Sequence, residues 1–310
     1  MRAAGAVRSP RFRENAMPRW IAFLIAMTAA PAAAQVVPAG RPVEIGTSYQ
    51  IAAPTLGDER QVNVWLPPGY DRSQGRYPVV YLLDGAVDQD FGHVAGLASL
   101  ASLSWTFGPF IVVGIQTKQR RAELTGQPVD PRYRSAFPES GGATRFRRFL
   151  RQDVIPFVEA RFRTDGRRAI MGESLAGLFV IDTLLNEPAL FTDYVAISPS
   201  LWWDDRRALR TGLSERLSRA AGKRLFIAVA DEGGTMQDGV DRLRAAVAAL
   251  PPGRVTLRYA DHGRSATHGT VYHRAAEEAL RWLYPAEPDD AGPTPWFMIE
   301  GASPPAVTAR

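Results

Sequence analysis

The stretch RAIMGESLAGL, residues 168–178, joins two patterns. RAIM reads as the end of a buried strand, and a helical pattern starts at Leu175. Ser174 stands between them, with Gly172 before it and Ala176-Gly177 after it. A strand that turns this sharply into a helix needs small residues around the serine to avoid neighbouring chain. Such a turn lifts the Ser174 hydroxyl to the carboxyl edge of a parallel sheet, where open α/β sheets bind ligands. The helix N-terminus there also favours developing negative charge. The competing reading is a serine that caps an ordinary helix, because cap serines are common. The rest of the chain decides between the two.

Working outward, short apolar runs alternate with longer helical patterns, which predicts an α/β fold: a mostly parallel sheet with helices on both faces. RPVEIGTSYQIAAP (41–54) and RQVNVWLPPGY (60–70) alternate apolar and polar residues, as an antiparallel N-terminal strand pair does, with Gly57-Asp58 as the turn. YPVVYLLDG (77–85), FIVVGIQT (110–117), RAIMGES (168–174), YVAISPS (194–200) and RLFIAVAD (224–231) are runs expected of strands buried on both faces. RVTLRYAD (254–261) is the last strand. Between them, residues 144–162 place Phe146, Phe149, Leu150, Val154, Phe157 and Val158 at helical spacing, and Pro156 should kink that helix. Helical patterns also follow Ser174 and occupy 239–253 and 270–285. Residues 118–143 show no periodicity, and so long a stretch inside a domain is expected to be a functional loop.

A serine is a weak nucleophile until a base takes its proton. The chain has His93, His262, His268 and His273. In the hydrolase order of serine, acid and histidine along the chain, His93 comes too early. His273 falls inside the last helix. His262 and His268 lie in the loop between the last strand and that helix, where the base belongs. THGTV puts His268 at the helix start in a capped turn, which favours it over His262. The acid should follow the preceding strand, at Asp231 or Glu232; Asp231 continues directly from the strand and is preferred. An oxyanion hole needs backbone N–H donors; Leu175, after the nucleophile, and Ala86, after YLLDG, occupy the two positions.

Composition excludes several other classes. The net charge is +5, but residues 1–34 hold five arginines against one glutamate, leaving about +1 for the body. That is no footprint for nucleic acid. The basic run RFRRFLR (145–151) reads as a solvated helix face. Cysteine is absent, which removes disulfides, thiol catalysis and thiolate metal sites. No metal or organic cofactor is implied, since no HExxH, nucleotide-binding glycine loop or dense His/Asp cluster occurs. MPRWIAFLIAMTAAPAAAQ (17–35) has a basic start, an apolar run and small residues before Gln35. It reads as a secretory signal ending at Ala34, with Met17 a possible start, and its apolar run is too short to leave a stable membrane span. Arginine far outnumbers lysine, which suggests a bacterial source, so the periplasm or the exterior is the expected destination. The domain reading is therefore a signal at 1–34, a catalytic domain at 35–285 and a Pro/Ala-rich tail at 286–310. The apolar PWFMIE in that tail is a candidate for docking on the body.

The chain resembles the putative-esterase branch of the α/β-hydrolase superfamily, over about residues 43–285. The stretches that carry the resemblance are VNVWLPPGYD, YPVVYLLDG, RAELTG, RFLRQDVIPFVEARFRTDGRRAIMGESLAGL, ISPSLWW and THGTVYHRA. That branch includes carboxylesterases of the S-formylglutathione hydrolase type, mycolyltransferases and siderophore esterases of the enterobactin type. LLDG, GESLAG and SPSLWW together look closest to the siderophore-esterase group. The resemblance implies Ser174 as nucleophile, His268 as base, and oxyanion donors at Ala86 and Leu175. It places Arg121 near the pocket, although Glu123 stands where the group's DLT-like stretch has Asp. It does not choose between Asp231 and Glu232.

Trp202 and Trp203 follow a strand end and are candidates for the pocket mouth, where aromatic walls suit apolar acyl or aryl groups; one of the two is expected in the core. Arg120, Arg121, Arg132 and Arg134 in the long loop could meet an anionic substrate or simply be solvated. The expected function is an exported serine esterase acting on a small-molecule ester through an acyl-enzyme. The alternatives are an acyltransferase of the mycolyltransferase type and a non-catalytic binding protein on the same fold. Neither the ester nor the oligomeric state is written in the sequence.

Overall fold

Eight strands form one sheet in the order β1-β2-β4-β3-β5-β6-β7-β8. They are β1 (Thr47–Ala53), β2 (Asp58–Trp65), β3 (Tyr77–Leu83), β4 (Ile111–Ile115), β5 (Thr164–Glu173), β6 (Asp193–Ile197), β7 (Lys223–Val229) and β8 (Val255–Asp261). Strand β2 runs antiparallel to both β1 and β4, and every pairing from β4 to β8 is parallel. All eight predicted strands are present, and Gly57, at φ 80°, makes the β1–β2 turn. This is the α/β-hydrolase arrangement expected from the sequence.

The protein is represented by a computed structural model that describes residues 40–287 and 294–304. It divides into two units, Met1–Pro42 and Val43–Arg310, and the sheet belongs to the second. The predicted signal segment lies outside the described residues, as do 288–293 and 305–310 of the tail. Within the tail's described part, Trp296, Phe297, Met298 and Ile299 are exposed, so PWFMIE buries little apolar surface. Among the described residues no helix is long and apolar enough to cross a membrane.

The helices are α1 (Phe91–Ser104), α2 (Arg120–Leu124), α3 (Pro131–Ala136), α4 (Ala143–Phe149), α5 (Ile155–Arg161), α6 (Leu175–Asn186), α7 (Trp203–Arg206), α8 (Leu213–Ser218), α9 (Gly234–Ala248) and α10 (Val271–Leu283). Side chains alternate across a strand, so β3 feeds two cores. Val79, Tyr81 and Leu83 pack with α4, α5, α6 and α9 on one face. Val80 and Leu82 pack with α1 and α10 on the other.

Two segments depart from their expected form. Between α4 and α5, Leu150–Val154 forms a π turn immediately before Pro156. A proline lacks the N–H and crowds the carbonyl four residues back, and the wider turn relieves both. Residues 118–143, expected to be structureless, contain α2 and α3. Pro131 opens α3, and the Asp130 side chain accepts from Arg132 N–H at 2.8 Å, so a cap and an N-terminal proline make a helix too short for periodicity to reveal.

Candidate active site

Ser174 has φ 58° and ψ −116°, a conformation few non-glycine residues adopt. Its neighbours hold it there. Ser174 N–H donates to Ile197 O at 2.9 Å, and Ser200 N–H donates to Ser174 O at 3.0 Å. The small residues predicted around it are required: a Cβ on Gly172 would sit 2.5 Å from Ala176 Cβ, and one on Gly177 3.0 Å from Pro199 Cα. The strained turn places Ser174 between β5 and α6, at the N-terminus of that helix.

His268 Nε2 lies 3.1 Å from Ser174 Oγ, a hydrogen-bond distance. The turn that carries His268 is fixed by Thr267 N–H donating to Thr270 Oγ1 at 2.9 Å and by Val271 N–H donating to Thr267 O at 3.0 Å. His262 is elsewhere, with Nε2 3.7 Å from Glu278 Oε2. His93 and His273 contact each other, Nε2 to Nδ1, at 3.3 Å.

The carboxylate on the far nitrogen of His268 belongs to Glu232. Its Oε2 is 3.2 Å from Nδ1, and its side chain is only 5% exposed. Asp231, the residue preferred from the sequence, is 60% exposed and faces Arg264 Nε at 3.6 Å. Strand β7 ends at Val229, and the chain turns tightly just after it, with Glu232 N–H donating to Ala230 O at 2.9 Å. The turn brings the Glu232 carboxylate to His268 and leaves Asp231, between the two, exposed to solvent.

Two serines that sequence reasoning passed over complete the cluster. Ser200 Oγ is 3.2 Å from Ser174 Oγ. Ser198, fully buried, donates its hydroxyl to Glu232 Oε1 and lies 3.1 Å from His268 Nδ1. The motif SPSLWW draws attention through its tryptophans, and nothing in its composition marks the serines. Glu173 is likewise unmarked in the sequence. Burial pushes its carboxyl up to about 7, with nearby His268 opposing; its Oε1 is buried without a partner.

Leu175 is the first residue of α6, so its N–H belongs to the open first turn and has no intrahelical acceptor. Ala86 N–H donates to Gln89 Oε1 at 3.0 Å, and Gln89 Nε2 donates in turn to Thr117 O at 3.0 Å. The Ala86 N–H is thus occupied by Gln89 in this structure.

Arg121, expected near the pocket, stacks on Phe137 at 4.5 Å and pairs with Glu139 at 3.2 Å. Its neighbour Arg120 is the one at the Ser174 turn, donating from Nε to Asp84 Oδ2 at 2.7 Å and from Nη2 to Glu173 O at 2.9 Å. Glu123 instead holds buried Arg60, at 2.6 Å. Trp203 is the core tryptophan, 5% exposed, with its indole N–H on Gly126 O at 3.2 Å. Trp202 is half-buried and packs near Tyr133, whose hydroxyl donates to Trp202 O at 3.2 Å. A cavity of about 480 Å³ lies against Leu178 and Trp203, but none of Ser174, His268 or Glu232 lines it. Among the described residues no group of three or more His, Asp or Glu is arranged to hold a metal ion.

The protein-family model described as "Putative esterase" matches residues 53–274. The chain is 34% identical over 145 residues to the ferri-bacillibactin esterase BesA of Bacillus subtilis, covering 41% of this chain and 49% of that one. It is 31% identical over 141 residues to the siderophore triacetylfusarinine C esterase of Aspergillus fumigatus, covering 43% and 48%. The chain thus spans about half the length of these relatives. Among solved structures it is similar to an IroE-like serine hydrolase from Shewanella oneidensis, with TM-score 0.65 and 30% identity over 77% of this chain and 80% of that one. A family match spanning more than half of the residues, on a sheet of this topology, makes the chain a member of the Putative esterase family, near its siderophore esterases.

Proposed function

We propose that this protein is a serine esterase that cleaves carboxylic esters through Ser174, His268 and Glu232. The observation that carries the reading is the continuous line from Ser174 Oγ to His268 Nε2, at 3.1 Å, and from Nδ1 to the buried Glu232 carboxylate, at 3.2 Å. In this account Ser174 Oγ attacks the ester carbonyl while His268 Nε2 takes its proton. Glu232 holds the imidazole tautomer and stabilises the imidazolium. The N–H groups of Leu175 and, once Gln89 is displaced, Ala86 receive the oxyanion. Collapse of the intermediate breaks the C–O bond, and His268 returns the proton to the leaving alcohol. A water deprotonated by His268 then releases the acid from Ser174.

The substrate class we assign is a siderophore-type ester or lactone, on the strength of the siderophore esterases among the relatives. We further propose that residues 17–34 direct export, so that hydrolysis takes place in the periplasm or outside the cell. The test is hydrolysis of p-nitrophenyl acetate and butyrate, then of siderophore lactones, by the full chain beside Ser174→Ala and His268→Ala. Losses of several orders of magnitude in both variants are expected. Unchanged activity in Ser174→Ala would refute the mechanism. Product partition with an added alcohol separates hydrolysis from acyl transfer. N-terminal sequencing of the protein from a cell-envelope fraction tests export.

A further inference from the structure

Ser198 follows β6 directly and has no exposed surface. Its φ is 44°, a left-handed conformation that a serine rarely adopts and that the following Pro199 makes less favourable still. Its N–H donates to Ala228 O at 2.7 Å. The next two residues are fastened to the nucleophile turn, Pro199 against Gly177 and Ser200 N–H on Ser174 O at 3.0 Å. The strained backbone thus places one hydroxyl between the acid and the base.

The hydrogen-bonding inventory of that hydroxyl is restrictive. Ser198 Oγ has one hydrogen and lone pairs to accept with. An ionised carboxylate can only accept, so the Ser198 hydrogen goes to Glu232 Oε1. The oxygen is then an acceptor, 3.1 Å from His268 Nδ1. The same nitrogen lies 3.3 Å from Glu232 Oε1 and 3.2 Å from Oε2. All three contacts accept one hydrogen, and of the two neutral tautomers only the one protonated at Nδ1 supplies it. That tautomer leaves a lone pair on Nε2, the atom facing Ser174.

We propose that Ser198 is a positioning residue of this site, whose hydroxyl locks the Glu232 carboxylate and shares the Nδ1 hydrogen so that His268 presents a free Nε2 to Ser174. The proposal rests on the serine-esterase reading and extends it to a residue outside the triad. Ser198 touches no substrate atom; it acts through Glu232 and His268.

The experiment compares the full chain with Ser198→Ala, Ser198→Gly, Glu232→Gln and the Ser198→Ala/Glu232→Gln pair on p-nitrophenyl butyrate, with melting temperatures alongside. Ser198→Ala keeps the Cβ and removes the hydroxyl; kcat should fall about 10- to 100-fold with KM changed less than about threefold. Ser198→Gly tolerates the left-handed backbone, so it should lose kcat equally without losing stability, and it decides the matter if the alanine variant fails to fold. In the Glu232→Gln background the second substitution should cost no more than about threefold, because both act on one contact. Ser198→Ala with kcat within about twofold of the parent, or losses that multiply fully in the pair, would overturn the proposal. Ser174→Ala in the same assay separates the two levels. If it is inactive while Ser198→Ala is fully active, only this inference falls; if it is fully active, the esterase mechanism falls with it.

Discussion

Glu232 Oε2 stands 3.2 Å from His268 Nδ1, while the adjacent Asp231 turns to Arg264. Glu232→Gln keeps the shape of the side chain and removes the charge that stabilises the imidazolium. Its kcat should fall by about 10²- to 10⁴-fold, in the range seen when a triad acid is neutralised. Asp231→Asn, at an exposed ion pair, should stay within about threefold of the parent. Steady-state kinetics on one ester with both variants checks the assignment, and the reversed order of effects would return the acid to Asp231.

The two tryptophans of SPSLWW should separate by what each variant loses. Trp203 is buried against Tyr133 and Phe137, with ring centroids 5.5 and 5.4 Å away. Trp203→Ala should destabilise the fold by about 3–5 kcal/mol, as large-to-small core changes do. Trp202→Ala, at a half-buried ring packed beside Tyr133, should cost clearly less stability than Trp203→Ala and raise KM for bulky aryl esters more than for acetate. Equal stability losses in the two would remove Trp202 from the pocket mouth.

Glu173 carries a pH signature. Burial raises its carboxyl from an ordinary 4.5 to about 7; His268 and Arg120 oppose the rise, and Asp90 and Glu232 add to it. Between those values the folded chain keeps a proton that the unfolded chain has released, so this group's contribution to stability falls as pH rises through the window. Asp90, raised to about 6 by burial and by Asp84, adds a decline of the same sign. Glu173→Gln cannot ionise. Its melting temperature relative to the parent should therefore improve steadily from about pH 5 to about pH 8. A difference that is flat with pH would show that the Glu173 carboxyl is not held protonated.

Much of this architecture is readable from residues alone. The strands announce themselves because period-2 alternation and continuous apolar runs are local properties. The Ser174 turn is readable because only small residues fit beside it, as the Gly172 and Gly177 contacts show. His268 could be separated from His262 by its place at a helix start. The acid could not be chosen by proximity to a strand end. The tight turn after β7, with Glu232 N–H on Ala230 O, decides it, and the residue types there do not mark that turn. Ser198 and Ser200 were invisible for a different reason. Their roles come from β6 lying beside both β5 and β7, a neighbourhood created by sheet order. Arg120 and Arg121 show the same limit, since the short helix α2 sends one to Glu173 and the other to Glu139.

The most direct test of the central claim is labelling by a fluorophosphonate, which forms a bond only with an activated serine. The full chain is treated with the probe, digested, and the adduct located by peptide mass. A single adduct on Ser174, lost in Ser174→Ala and strongly slowed in His268→Ala, is the result this account predicts. No adduct on a folded chain, or an adduct on another serine with Ser174 unmodified, would contradict it.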